Sequence, residues 1–184
     1  NKPFNFKKSR NGNLLVNRVA EYNLKKSKIG IDKIYDFFPT GSDERQYCSP
    51  GIDLPVACIT RSMFGKFKEY HTSMDNKDFI NFRSMVETIE TLLKICETFE
   101  TNQIFYSNKQ FCEPFLSKHN LYETVNIPGD LKQITNTILW LISFSDGNND
   151  LLKISQLSNI DYFDLLKASK ICVEKKLLSL KKCQ

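Results

Sequence analysis

Hydrophobic and polar positions along this chain change rhythm near its middle. In the first part the clearest signal lies over residues 82–99, where Phe82, Met85, Val86, Ile89, Leu92, Leu93, Cys96 and Phe99 recur at intervals of three and four. That spacing puts all of them on one broad face of a long helix, and Asp75 to Asp78 supplies polar residues able to start it. An earlier helix is predicted through Leu15, Val19 and Tyr22, with Asn13 as its cap and Lys25, Lys26 and Lys28 in a basic last turn before Gly30. Ile31 to Phe38 is β-branched and aromatic and stops at Pro39, which predicts a buried strand; Leu54 to Thr60, around Val56 and Ile59, predicts a second. Between them Pro39, Gly41, Pro50, Gly51 and Pro55 leave room only for a shaped loop. The order of helix, strand, loop, strand, loop and helix is that of an α/β layer with functional loops at strand ends.

From Asp130 the period becomes helical throughout. Leu131, Ile134, Ile138, Leu141 and Ile142 mark one helix, Leu151, Leu152, Ile154 and Leu157 a short second, and Tyr162, Leu165, Leu166, Ser169, Cys172 and Val173 a third. Polar turns are expected at Ser145 to Asn149 and Ser158 to Asp161, and Leu177 to Leu180 reads as a closing strand. This is the layout of a winged helix. The domain reading is an α/β part over residues 1–101, a connector over 102–129 and a winged helix over 130–184.

A length of 184 residues, with 41% hydrophobic and 26% charged residues, suits two small soluble units, and no apolar run is long enough to cross a bilayer. The chain begins with Asn1, and Lys2 to Lys8 lacks the apolar core of a secretory signal, so the sequence is expected to be part of a longer protein. Six cysteines without a Cys-x-x-Cys pair, several within apolar patterns, point to reduced thiols packed as small hydrophobes and to a cytoplasmic location. The net charge is +5, and Leu151 to Gln184 alone carries seven lysines against Asp161, Asp164 and Glu174. Such a charge fits a phosphate-contacting face, which makes nucleic-acid binding the rival reading. Against it, the third helix opens with two carboxylates and the segment has no arginine, the usual reader of guanine. A winged helix reused for protein contacts is the better expectation.

Only two histidines are present, His71 and His119. His71 stands among Glu69, Tyr70, Thr72, Asp75 and Asn76 in a polar loop, where a neutral imidazole can ligate a metal and a carboxylate can orient its second nitrogen. The residues alone leave two readings open for it and for Asp43-Glu44: a ligand set, or solvated turns.

The segment Phe38-Pro39-x-Gly41-Ser42-Asp43-Glu44-Arg45-Gln46-Tyr47-Cys48-Ser49-Pro50-Gly51-x-x-Leu54-Pro55-Val56, followed by Glu69-Tyr70-His71-Thr72-Ser73-x-Asp75-Asn76, resembles the second half of aminopeptidase-like zinc hydrolases associated with bacterial surface-polysaccharide genes. The resemblance continues through Cys112-Glu113-Pro114-x-Leu116, Leu121-Tyr122, Leu139-Trp140-Leu141 and Ser145-Asp146-Gly147. It implies the C-terminal part of a mixed-sheet co-catalytic zinc peptidase fold followed by a winged helix. It further implies zinc as cofactor, His71 as the last histidine ligand, Asp43 as an outer carboxylate, Glu44 as a further candidate ligand or substrate contact, and Arg45, Gln46 and Tyr47 as substrate contacts. A peptide or an acylated amino sugar is the implied substrate, with binding or modification of a glycan precursor as a further reading. The other metal ligands would come from a missing N-terminal half, without which the chain is expected to be inactive; the apolar surface so exposed makes a homo-oligomer a candidate state.

Overall fold

The structure, a computed structural model, describes residues 2–119, 121 and 129–181. Tyr122, the side chain of Leu131 and Cys183 lie outside the described residues. The chain divides into two units, Asn1–Glu100 and Thr101–Gln184.

Unit 1 contains strand β1 (Phe4–Lys7), helix α1 (Leu15–Lys26), strand β2 (Ile31–Tyr35), the one-turn helix α2 (Glu44–Tyr47), strand β3 (Cys58–Thr60) and helix α3 (Phe82–Thr101). Its sheet has the order β2-β1-β3, with β1 parallel to β2 and antiparallel to β3. β1 escapes the sequence reading because all four of its residues are buried, Asn5 and Lys7 as well as Phe4 and Phe6. A central strand is covered on both faces, so the alternation that marks a half-exposed strand is lost. β2 ends at Tyr35, short of Phe38. β3 covers only the last three residues of the predicted strand, since Leu54 turns back to donate its N–H to the Tyr47 carbonyl at 2.9 Å.

Both predicted helices form, with different details. Leu14, not Asn13, occupies the cap of α1 and makes no side-chain capping bond. Asn17, on the same helix, is a core residue: its Oδ1 accepts from the Ser9 N–H at 2.9 Å, and its Nδ2 donates to Ser9 Oγ and the Asn11 carbonyl. α3 starts at Phe82, and Asn81 caps it by accepting from the Ser84 N–H at 2.9 Å.

The larger difference is the direction α3 faces. Its buried positions are Thr91, Ile95 and Thr98, whereas Phe82 is 75% exposed, Val86 and Ile89 54% and Leu93 64%. The threonine face can pack because its hydroxyls bond their own helix: Thr88 to the Ser84 carbonyl, Thr91 to Glu87 and Thr98 to Lys94, at 2.7–2.9 Å. Asn23 of α1 donates to Thr98 Oγ1 at 3.0 Å and ties the two helices together. Arg61, just after β3, adds bonds to the Ser84 carbonyl and Thr88 Oγ1 while its guanidinium lies 4.8 Å from the Phe4 ring.

Unit 2 contains strand β4 (Ile104–Ser107), a 3-10 turn (Leu116–His119), helix α4 (Gly129–Phe144), strand β5 (Asp146–Asp150), helices α5 (Leu151–Ser158) and α6 (Tyr162–Glu174), and strand β6 (Leu178–Leu180). The antiparallel sheet has the order β5-β4-β6. Its central strand β4 falls where the sequence suggests a connector, and β5 replaces an expected turn. Gly147 explains part of this: its φ is +84°, and a Cβ there would stand 2.0 Å from the Tyr106 ring, so the close pairing of β4 and β5 admits only glycine. Asp150 caps α5 through the Lys153 N–H, and Asp161 caps α6 through the Phe163 N–H. Ile138, Leu141, Leu151, Leu152, Ile154, Tyr162, Leu165 and Cys172 form a core in which no side chain is more than 1% exposed.

The thiols divide. Cys48 and Cys172 are buried and Cys58 is half-buried, but Cys96 and Cys112 are exposed, contrary to the expectation of packed cysteines. Among the described residues no helix is long and apolar enough to cross a membrane.

Candidate functional site

β1 and β2 are parallel, so both end on one edge of the unit 1 sheet. β3 starts on that same edge, with Cys58 opposite Lys7. The loop from Asp36 to Ala57 therefore leaves and re-enters the sheet at the carboxyl ends of a parallel strand pair, the edge where open α/β sheets place ligands.

This loop is fixed from below by a buried charge. Lys7, the last residue of β1, is 1% exposed; its ammonium donates to Glu44 Oε1 at 2.7 Å and to the Thr40 carbonyl at 2.7 Å. The Phe38 ring centroid lies 4.0 Å from the same nitrogen and Phe37 5.2 Å, so two aromatic rings at the start of the loop also cover the cation. Glu44, 3% exposed, also accepts from the Ser42 N–H. Burial raises the Glu44 carboxyl, but the hydrogen bond from Lys7, the backbone N–H groups of Glu44 and Ser42 and the Lys7 charge outweigh it and hold the group below its ordinary 4.5. Gly41, with φ +140°, is required here, because a Cβ would stand 2.3 Å from Glu44 Oε1.

Further along, the Cys48 thiol donates to the Leu54 and Val56 carbonyls at 3.3 Å, and Arg10 clamps Asp53 through two contacts of 2.9 and 2.8 Å. Asp53 has φ +47°, so the clamp holds a residue in the left-handed region. The result is a rigid loop from which Asp43, Arg45, Gln46 and Tyr47 project, exposed and without side-chain hydrogen bonds among the described residues. Of the residues predicted for this loop, Glu44 is the exception. Its carboxylate is enclosed by Lys7 and Ser42, which makes it an anchor of the loop.

His71 lies on the other loop. β3 runs antiparallel to β1, so this loop leaves from the opposite edge of the sheet, where Thr60 faces Asn5. The sequence places each loop after a strand; the structure gives the two loops opposite exits, and among the described residues no hydrogen bond or ion pair links them. His71 is exposed with φ +59°, and its ring stacks on Tyr70 at 4.0 Å and 16°. Tyr70 packs edge-on against Phe67, and Phe67 stacks on Phe79, so the imidazole stands at the end of an aromatic brace. Thr72 closes the turn by donating its N–H and Oγ1 to the Glu69 carbonyl at 3.1 and 2.9 Å. Holding a non-glycine residue at positive φ costs roughly 1 kcal/mol or more, a strain that recurs at functional sites.

Among the described residues no three His, Cys, Asp or Glu side chains converge as a metal site. Zinc takes three or four protein ligands, so the described residues by themselves do not complete a zinc site, although His71 is of a ligand type. Lys7, Arg10, Cys48 and Asp53 are site-building residues that the sequence reading missed. Nothing in one dimension pairs Lys7 with a carboxylate 37 positions away; the only trace is a lysine ending a short Phe-x-Phe run.

A family model described as a domain of unknown function (DUF4910) matches residues 1–102, and one described as a winged helix-turn-helix matches residues 103–180. A protein of Clostridium acetobutylicum named as a polysaccharide biosynthesis protein with an aminopeptidase-like domain is 33% identical over 177 residues, which cover 96% of this chain and 40% of that protein. The crystal structure of a protein from the same organism, named as a peptidase, superposes with a TM-score of 0.85 at 32% identity and covers 98% of this chain and 39% of its own. The chain thus spans about 40% of the length of these relatives. Its fold is an aminopeptidase-like α/β unit followed by a winged helix, and by its first 102 residues the chain belongs to the DUF4910 domain family.

Proposed function

We propose that this chain supplies one wall of the hydrolytic site of a longer aminopeptidase-like protein that acts on a peptide or an acylated amino sugar. The observation that carries the reading is His71, an exposed imidazole held at positive φ on an aromatic brace and engaged in no hydrogen bond among the described residues. In this reading His71 is one ligand of a zinc site whose remaining ligands lie in polypeptide outside the chain. Bound zinc would activate water for attack on an amide. In the same reading Arg45 would offer the substrate a charge for a carboxylate, Tyr47 an apolar ring with a hydroxyl, Gln46 an amide, and Asp43 an outer carboxylate, all on the loop that Lys7 and Glu44 anchor, which leaves the sheet at the edge opposite the exit of the His71 loop.

The 184-residue chain by itself is expected to hold no stoichiometric zinc and to release no amine from aminoacyl amides. Finding both would overturn the claim that the site is incomplete. When the chain is paired with the unmatched part of the Clostridium acetobutylicum relative, zinc measured by mass spectrometry should rise toward stoichiometric, and His71→Ala should lose it while Gln46→Ala keeps it. Equal zinc in both variants would remove His71 from the site. Nucleic-acid binding gains no support from α6, where Asp161 is used as cap and Lys167 pairs with Asp164 at 3.3 Å.

A further inference from the structure

α3 shows one side of its amphipathic pattern to its own unit and the stronger side to solvent. Phe82, Met85, Val86, Ile89, Leu93 and Cys96 form a continuous row, each of them exposed. At 1.5 Å per residue the row is roughly 21 Å long. Beside it lies a groove of about 670 Å³ with an apolar wall of Phe67, Phe79, Ile80, Met85 and Ile89 and a polar rim that includes Lys2, Arg61 and Asp75. Soluble chains seldom leave so long an apolar row bare.

We propose that this row and groove seat the polypeptide that the relatives carry beyond the matched segment, an apolar-faced layer of the same domain. Three observations choose this occupant. The matched segment is only 40% of the relative, so more than half of its length has no counterpart in this chain. The row has no charged member, the composition of a domain core cut in half and not of a transient contact with a polar partner. It is also continuous with the groove, so the occupant must match a helix face and a cavity together, which asks for a folded layer longer than one short peptide. The inference rests on reading unit 1 as part of a longer aminopeptidase-like domain, yet it needs neither zinc nor turnover.

The test pairs the intact 184-residue chain with a separately produced polypeptide covering the unmatched part of the Clostridium acetobutylicum protein. Cys96 is the reporter, because it sits in the row, and Cys112 in unit 2 is the internal control; both are exposed. A 1:1 complex by light scattering is expected, with alkylation of Cys96 slowed at least tenfold and that of Cys112 unchanged. Val86→Glu and Leu93→Glu, at positions exposed in the chain and therefore compatible with its folding, should abolish the complex and leave the circular dichroism of the chain unaltered. The proposal fails if no complex forms, if Cys96 stays fully reactive within it, or if both variants still bind. It also fails if the chain alone is a stable dimer that Val86→Glu breaks, since the face would then belong to a second copy. Loss of zinc or of hydrolysis with the complex intact would count against the functional reading alone.

Discussion

α3 and α6 carry the same kind of pattern and do opposite things with it. In α6 the apolar residues turn inward: Tyr162 and Leu165 are fully buried and Cys172 with them, and the lysines at 167 and 170 take the solvent side. In α3 threonines turn inward and the row from Phe82 to Cys96 turns out. Periodicity states that a helix has an apolar face; it does not state what covers the face. Unit 2 closes its core with its own three helices and sheet, so pattern and burial agree there. Unit 1 has three strands and two long helices, too few elements to cover both helices on their apolar sides, and only the face with satisfied hydroxyls is left to pack within the chain.

The strongest way to break unit 1 and spare unit 2 is to strand the Lys7 charge. Glu44→Gln should destabilise unit 1 by about 4 kcal/mol, because an unpaired buried ammonium loses its compensation. The lone tryptophan, Trp140, stacks on Phe144 within unit 2 and so reports that unit separately. Urea titration should show an early loss of part of the far-ultraviolet dichroism with the Trp140 transition unmoved. A double replacement, Lys7→Met with Glu44→Leu, should recover most of the loss, since an apolar pair avoids the desolvation cost.

Next in size is the same substitution made on the two helices. Leu165→Ala should cost unit 2 about 3 kcal/mol by opening a cavity in a core that is fully closed. Leu93→Ala, at a site 64% exposed, should change the stability of the chain by less than about 0.5 kcal/mol. Comparable losses from both would show that α3 is covered within the chain and that the contrast between the helices is false.

These contrasts also mark where the sequence stops being informative. Helices α3, α4, α5 and α6 were legible because each repeats its apolar residues over two turns or more, and the caps Asp150 and Asp161 are of the residue types that such ends prefer. β1 was not, since burial on both faces replaces alternation with a run that includes a lysine. The loop residues Asp43, Arg45, Gln46, Tyr47 and His71 could be named from residue type and resemblance. How the loop that carries Asp43 to Tyr47 is held depends on Lys7 and Arg10, which approach from another strand end, and the anchoring of Glu44 by Lys7 is not visible in one dimension. The orientation of α3 was beyond reach for a different reason: both of its faces are packable, one by oil and one by hydroxyls bonded to their own helix.

A smaller effect separates the units by pH. The Glu44 carboxyl is held below its ordinary 4.5 in the folded chain, so the unfolded chain binds the proton more readily. The stabilisation is present above about pH 4.5 and is lost as pH falls through the lower, folded value. Unit 1 should therefore lose urea resistance on acidification below pH 4.5 more steeply than the Trp140 transition does. Asp146 in unit 2 is also held low, first by the Asn148 N–H, but it is exposed and its share is screened. Glu44→Gln should remove the excess slope in unit 1; an unchanged slope would mean that other carboxylates carry it.

The mildest probe changes no residue at all. Burial pushes the Cys172 thiol up to about 12, so at neutral pH it is a protonated group inside the α6 face of unit 2 and offers almost no thiolate to an alkylating reagent. Cys96 occupies the matching inward-type position of an amphipathic pattern on α3, yet it is exposed. Under native conditions a thiol reagent followed by peptide mapping should modify Cys96 rapidly and Cys172 only at the rate at which unit 2 opens, so that urea below the Trp140 transition leaves the ratio large and urea above it brings the two together. Similar rates in the native chain would mean that the two helices are equally open, and the difference between a closed unit and one with an open apolar face would disappear. A large ratio that collapses when the unmatched polypeptide of the relative is added would instead place the proposed docking on α3 itself, because only the faster of the two thiols has protection left to gain.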